Sequence, residues 1–283
     1  MVAWSARARA LACPCTGSMT SLKRIGWVAV LCWLALPARA QTCHSPSLRE
    51  PSESGFRLGM LQLFAVFSDV EQGSYQGLIT TLGWNHPWLR AEVALPLYRL
   101  AQDGGEELGP GDVAADVRVS VLRSQAFSFG PELAFSLPTG DADASLGMGH
   151  VMAMPGMWAR LEVGDFGLLA QLAYGAAFGD SASTHTHHEH HAAASGAFPR
   201  VNPMNGSEFE HALGLSYALH SAVSLTARWV GAVPLEAAGV ARQIVAPGLQ
   251  LTADPLDASL ELQFPVAGDP FDVRVSVAFG SRI

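Results

Sequence analysis

From residue 55 onward, apolar and polar residues alternate at every second position in blocks of about ten, separated by clusters of Gly, Pro, Asp and Asn. In residues 271–279, Phe271, Val273, Val275, Val277 and Phe279 take one face of an extended chain, and Asp272, Arg274, Ser276 and Ala278 take the other. Residues 256–264 set Leu256, Ala258, Leu260, Leu262 and Phe264 against Asp257, Ser259, Glu261 and Gln263. Residues 112–121 set Val113, Ala115, Val117, Val119 and Val121 against Asp112, Asp116, Arg118 and Ser120. Helical i, i+3, i+4 stripes are missing. One face of each strand suits lipid and the other water.

Twelve such segments are predicted, at 55–69, 74–84, 87–99, 111–123, 127–137, 147–162, 165–178, 206–219, 222–232, 238–252, 256–265 and 270–281. An even count is what bacterial outer-membrane barrels require. The even-numbered connections are tight, around Asn85-His86, Ser124-Gln125, Val163-Gly164, His220-Ser221 and Asp254-Pro255, and the odd ones tend to be longer, as at 100–110, 138–146 and 179–205. Short periplasmic turns alternating with longer outer loops fit a barrel with both termini in the periplasm. The fold class expected is therefore all-β: a transmembrane antiparallel up-and-down β-barrel of about 12 strands, with ten to fourteen as the range. A soluble sandwich also alternates, but with its apolar face inward. Twelve strands in one chain and the loop-length alternation favour the barrel.

Composition supports that choice. Of the 283 residues, 49% are apolar and only 15% are Asp, Glu, Lys or Arg, against about 25% charged in an ordinary soluble domain. Outside the N-terminus no apolar run approaches the roughly 18 to 20 residues of a spanning helix. The net charge of −8 and the absence of Lys/Arg clusters with interleaved aromatics exclude a basic nucleic-acid binder.

The N-terminus reads as an address. Residues 19–40 carry Lys23 and Arg24, the apolar run from Ile25 to Leu36, and the Ala38-Arg39-Ala40 cleavage site of a secretory signal. Residues 1–18 precede a complete signal, so translation is expected to begin at Met19. Cleavage after Ala40 would leave a periplasmic N-terminal segment, 41–54, and a barrel, 55–283, exported by the Sec route to the outer membrane of a Gram-negative cell. That mature chain has 12 basic residues, all arginine, against 25 acidic ones, and one cysteine, Cys43. One cysteine makes no internal disulfide, so a closed hydrogen-bonded barrel must supply the stability.

Alternation assigns most of the scarce charge to the inner face, making the expected lumen-lining set Arg90, Arg118, Arg160, Arg228, Arg242 and Arg274 with Glu92, Asp112, Asp116, Glu132, Glu162, Glu210, Asp257, Glu261 and Asp272. Such charges are prohibitive against lipid and satisfied in a wet or paired interior. Six cations against nine anions give a mild cation preference if water runs through. In so narrow a barrel, ion pairs across the interior would instead close it.

Two further constellations suggest metal chemistry, with no cofactor required. His185, His187, His188, Glu189, His190 and His191 crowd the outer loop 179–205, enough donors for Cu, Zn or Ni. Met148, His150, Met152 and Met154 share one strand face, and thioether plus imidazole suits Cu(I). For enzymatic function there is no nucleophile–base motif, no paired carboxylates in a recognisable setting and no phosphate-cradling glycine loop. Ser207 or Ser216 with His211 is the nearest approach to a dyad, without a motif around it, so no enzyme is expected.

The segment Gly109-Pro110-Gly111-Asp112, then Gly130-Pro131-Glu132, Leu137-Pro138-Thr139-Gly140-Asp141 and Leu146-Gly147-Met148-Gly149, resembles the outer-membrane family named for the MetA pathway of phenol degradation. The likeness covers roughly residues 95–178, and Pro-Thr-Gly-Asp is also good turn chemistry. It implies a β-barrel similar to transporters of hydrophobic compounds. The terminal aromatic usual in the barrel-assembly signal is displaced here, Phe279 being followed by Gly-Ser-Arg-Ile. The expected function is a passive channel or uptake port for small hydrophobic or weakly polar compounds, with the 179–205 loop as a lid. Its partners are outer-membrane lipid, the small-molecule solute and the assembly machinery. The alternatives are a surface metal-binding barrel and a plugged structural barrel.

Overall fold

The computed structural model describes residues 54–67, 73–102, 105–179, 201 and 203–283. The expected leader and the His-rich segment 185–191 lie outside the described residues. The strands are β1 (Gly55–Phe67), β2 (Gly73–His86), β3 (Leu89–Gln102), β4 (Gly105–Pro110), β5 (Val113–Val119), β6 (Leu122–Arg123), β7 (Phe127–Leu137), β8 (Val151–Val163), β9 (Phe166–Phe178), β10 (Ser207–His220), β11 (Val223–Pro234), β12 (Arg242–Ala253), β13 (Leu256–Ala267) and β14 (Val273–Arg282). Among the described residues every pairing is antiparallel, most of them between sequence neighbours, and β1 pairs with both β2 and β14, which closes the sheet. β4 and β5 both pair with β3, one above the other, and β6 extends the same stave beside β7. The barrel therefore has twelve staves, and among the described residues closure leaves an unpaired edge only where β4 extends beyond β5.

The fourth stave departs from expectation. Residues 100–102 and 105–110, read from sequence as a loop, instead pair as the β3–β4 hairpin, with Gly105 at the start of β4 in a φ of 142°. Arg99 and Glu106 pair on the outside of this hairpin at 2.7 Å. Pro110 offers no N–H, and Gly111 bonds instead to the Pro96 carbonyl at 3.0 Å, so the stave breaks at Gly111-Asp112. Residues 147–150 and 238–241, expected in strands, lie outside them.

Leu58, Met60, Phe64 and Val66 face outward on β1, while Leu61, Leu63, Ala65 and Phe67 between them are buried within. The same alternation gives β3 an outer row of Val93, Leu95 and Leu97. Exposed Phe56, Trp88, Phe127, Phe166, Tyr217 and Phe279 ring the end bearing the short turns, and Phe64, Tyr174, Phe178 and Phe264 lie toward the other. An apolar band between two aromatic girdles is how a barrel meets a bilayer. Leu95 sits mid-strand on that band, so Leu95→Arg is expected to cost about 2–4 kcal/mol in urea unfolding from lipid vesicles, and Leu95→Ala far less.

Candidate functional site: the barrel interior

The half of the interior near the long connections is apolar. Leu61, Leu63, Ala65, Phe67, Tyr75, Ile79, Ala94, Tyr98 and Leu100 of β1–β3 form one buried cluster with Ala212, Val230 and Ile244 of β10–β12. Leu146, Val201 and Phe271, from three connecting segments, join them. Residues on well-separated staves meet because these segments fold inward and fill the space between.

The inward fold of 138–150 is wired by the residues quoted above as a motif. The Asp112 carboxylate accepts the Gly140 N–H at 3.0 Å through Oδ1 and the Met148 N–H at 2.7 Å through Oδ2. Thr139 Oγ1 donates to the Gly111 carbonyl at 3.0 Å and accepts the Val113 N–H at 2.8 Å. Asp141 Oδ1 accepts the amides of Asp143 and Ala144, closing the turn that carries Leu146 inward. A Cβ on Gly140 would lie 2.8 Å from Gly147 Cα and 2.9 Å from the Gly111 carbonyl carbon, so these glycines pack backbone to backbone. The break in the fourth stave exists where this segment docks.

The other half of the interior is braced by charge. Arg118 lies 3.4 Å from Asp116 and 3.1 Å from Glu132, and Gln171 donates to Glu132 at 2.9 Å. Arg90 pairs with Glu92 at 2.9 Å, and Arg160 pairs with Glu162. Several contacts skip a strand. Arg57 reaches Asp257 over Gly280, where a Cβ would lie 2.7 Å from the guanidinium. Arg228 reaches Glu261 at 2.5 Å across β12, where a Gly248 Cβ would meet Glu261 Cγ at 2.9 Å. One such reach lies within the apolar half: Arg274 donates to Tyr75 Oη at 2.7 Å over Ala65, which is in register with both, so one guanidinium borders the apolar cluster. Second-neighbour strands are roughly 10 Å apart, so a long arginine spans them only over a small residue. Beside Arg90, Arg118 and Trp158 a cavity of about 20 Å³ remains, room for one water.

A third region carries both characters. Glu208 and Arg242 pair at 2.7 and 2.9 Å and are 0% exposed, and Asn205 bonds Glu208 through its amide N–H at 3.0 Å and its side chain at 2.6 Å. Met148, Met152, Met154 and Met204 form a buried cluster beside them.

Of the expected interior residues, Asp112, Glu132, Glu210, Arg228, Arg242 and Glu261 are buried, and Arg90, Glu92, Asp116, Arg118, Arg160, Asp257 and Arg274 partly so. Glu162 is exposed at the rim. Asp272 departs from the expectation: it is exposed, β14 begins only at Val273, and Phe271 turns inward to lie 4.5 Å under the Arg274 guanidinium. Covering the cation with an aromatic face and leaving the carboxylate in water is the favourable arrangement. Glu208 was findable, being two residues from Glu210 on the same face. Met204, Asn205 and Thr139 carry no periodic signal. His211 meets Trp229 edge to face with ring centroids 4.9 Å apart, Ser207 contacts Tyr174 at 3.4 Å, and Ser216 lies on the opposite face of β10 from His211, so neither serine is brought to the imidazole.

An outer-membrane channel from Pseudomonas putida F1 superposes with a TM-score of 0.62 at 10% sequence identity, covering 86% of this chain and 100% of that one. The fold is that of a twelve-strand outer-membrane β-barrel. The NanC porin (TM-score 0.53) and the KdgM porin (TM-score 0.50) are each 8% identical and each covers 80% of this chain and 99% of its own. No family model and no curated protein sequence matches the chain.

Proposed function

We propose that this chain is an outer-membrane port for small hydrophobic or weakly polar solutes, closed at rest by the inward segment 138–150. The observation that carries the reading is the apolar cluster within the barrel: an inner face of Leu, Ile, Phe and Tyr is unfavourable in a water-filled pore and suits a solute that sheds water. Its roof is a connecting segment held by one carboxylate and one hydroxyl, not a wall of strands. The resemblance to the phenol-degradation family and the likeness in fold to channels point the same way. So does the lipid-facing belt, for a place in the outer membrane after Sec export.

The ion-paired half of the interior favours a second reading, a permanently plugged structural barrel. Uptake into lipopolysaccharide-containing vesicles separates the two, comparing an uncharged aromatic solute with benzoate, on the full chain and on a variant lacking residues 141–147. The port reading expects uncharged solute to enter faster than into protein-free vesicles, and faster still with the segment removed. Rates equal to protein-free vesicles for both proteins would overturn it.

A further inference from the structure

We propose that the methionine cluster inside the barrel is a binding site for a soft monovalent metal ion, Cu(I) or Ag(I), with Met148, Met152, Met154, Met204 and His150 as its donors. From residue 41 onward the sequence contains six methionines, Met60, Met148, Met152, Met154, Met157 and Met204. Four of the six meet in one buried cluster. Met152 and Met154 alternate on the inner face of β8, and Met148 and His150 are buried in the connection leading into it, on either side of Gly149 at φ 73°. Met204 comes from the segment before β10, about fifty residues along the chain, and no strand spacing requires it to arrive there.

Methionine does fill irregular gaps, but the surroundings here make room for sulfur in particular. The other members of the cluster are small, Ala134, Ala173 and Ala177. On β9, a Cβ at Gly175 would lie 3.0 Å from Met152 Cε, so the bare glycine accommodates the thioether. Thioethers and an imidazole without a thiolate select a soft monovalent ion over Zn²⁺ or Ca²⁺. The nearest carboxylates have other duties: Glu208 is held by Arg242 and Asn205, and Asp112 by the amides of Gly140 and Met148. Asp112 is also within electrostatic reach of His150. Asp112, bonded to the Met148 amide, and Glu208, which shares the space at Gly175 with Met152, stand at the cluster against Arg242. Met148 and Met204 lie on connecting segments, so the site opens where those segments lift, and it is independent of whether solute passes through the barrel.

The test is an anaerobic Cu(I) titration of the purified full chain against bathocuproine disulfonate. His185, His187, His188, His190 and His191 are replaced by Ala so that the outer loop contributes no donors. The expected result is one Cu(I) retained per barrel, with sulfur and imidazole nitrogen in its X-ray absorption spectrum. The Met152→Leu/Met204→Leu double variant, close in volume, is expected to lose at least a hundredfold in affinity while keeping heat-modifiable gel migration. No stoichiometric Cu(I) at equimolar competitor overturns the proposal, as does unchanged affinity in the folded double variant. If that variant does not fold, the absorption spectrum of its unsubstituted parent decides, and a sulfur-free first shell overturns the proposal.

Discussion

Asp112→Ala is expected to turn a silent barrel into a conducting one in planar bilayers, raising open probability at least a hundredfold while the barrel still assembles. Asp112 accepts two backbone N–H bonds from the inward segment, at 3.0 and 2.7 Å. Hydrogen bonds to a charged group contribute about 1.5–3 kcal/mol each, and each 1.4 kcal/mol is tenfold in an equilibrium. Losing both favours release of the segment by two to four powers of ten. Asp112→Asn keeps an acceptor oxygen and should fall between. Thr139→Val removes the bonds to Gly111 and Val113 but not those of Asp112, and should open the barrel less. Conductance of all three at the unsubstituted level would mean that the segment is not what closes the barrel.

The second large effect concerns Glu208 and Arg242. Glu208→Gln is expected to lower stability by up to about 3–5 kcal/mol, because it takes from a fully buried guanidinium the carboxylate that binds it through both oxygens. Replacing both, as Glu208→Gln with Arg242→Met, removes the buried cation as well and should recover most of that loss. A double-mutant cycle in urea unfolding would then report a coupling of several kcal/mol, nearly independent of salt because the pair is out of solvent. Simple additivity of the two single losses would show that the pair does not act as a unit.

Alternation made the staves legible. β7 occupies 127–137 as its pattern predicts, and the tight turns after β2, β8, β10 and β12 fall where Asn, Gly, Ser and Pro cluster. A period of two names the face of a residue but not its register, so it could put Arg118 and Glu132 on one side without pairing them. It also could not foresee that Arg57 reaches Asp257 over Gly280. The inward segment was hidden for a different reason: Leu137-Pro138-Thr139-Gly140-Asp141 has turn chemistry whether it points to solvent or into the barrel. What decides is Asp112 on another strand. Phe271 and Asp272 exchanged places because a strand end is free to choose between burying a ring on Arg274 and continuing the pleat. Met204 joins its partners through tertiary packing alone.

The central claim is that the inner face near the long connections is dry behind a releasable segment. A single cysteine at Ile79, buried on the inner face of β2, in a Cys43→Ser background, tests it most directly by labelling in intact cells with a charged, membrane-impermeant maleimide. Ile79→Cys is expected to stay unlabelled in the otherwise unsubstituted chain and to react at least a hundredfold faster when combined with Asp112→Ala. Lipid-facing Leu78→Cys should stay silent in both. Equal labelling of Ile79→Cys with and without the Asp112 substitution would contradict the account.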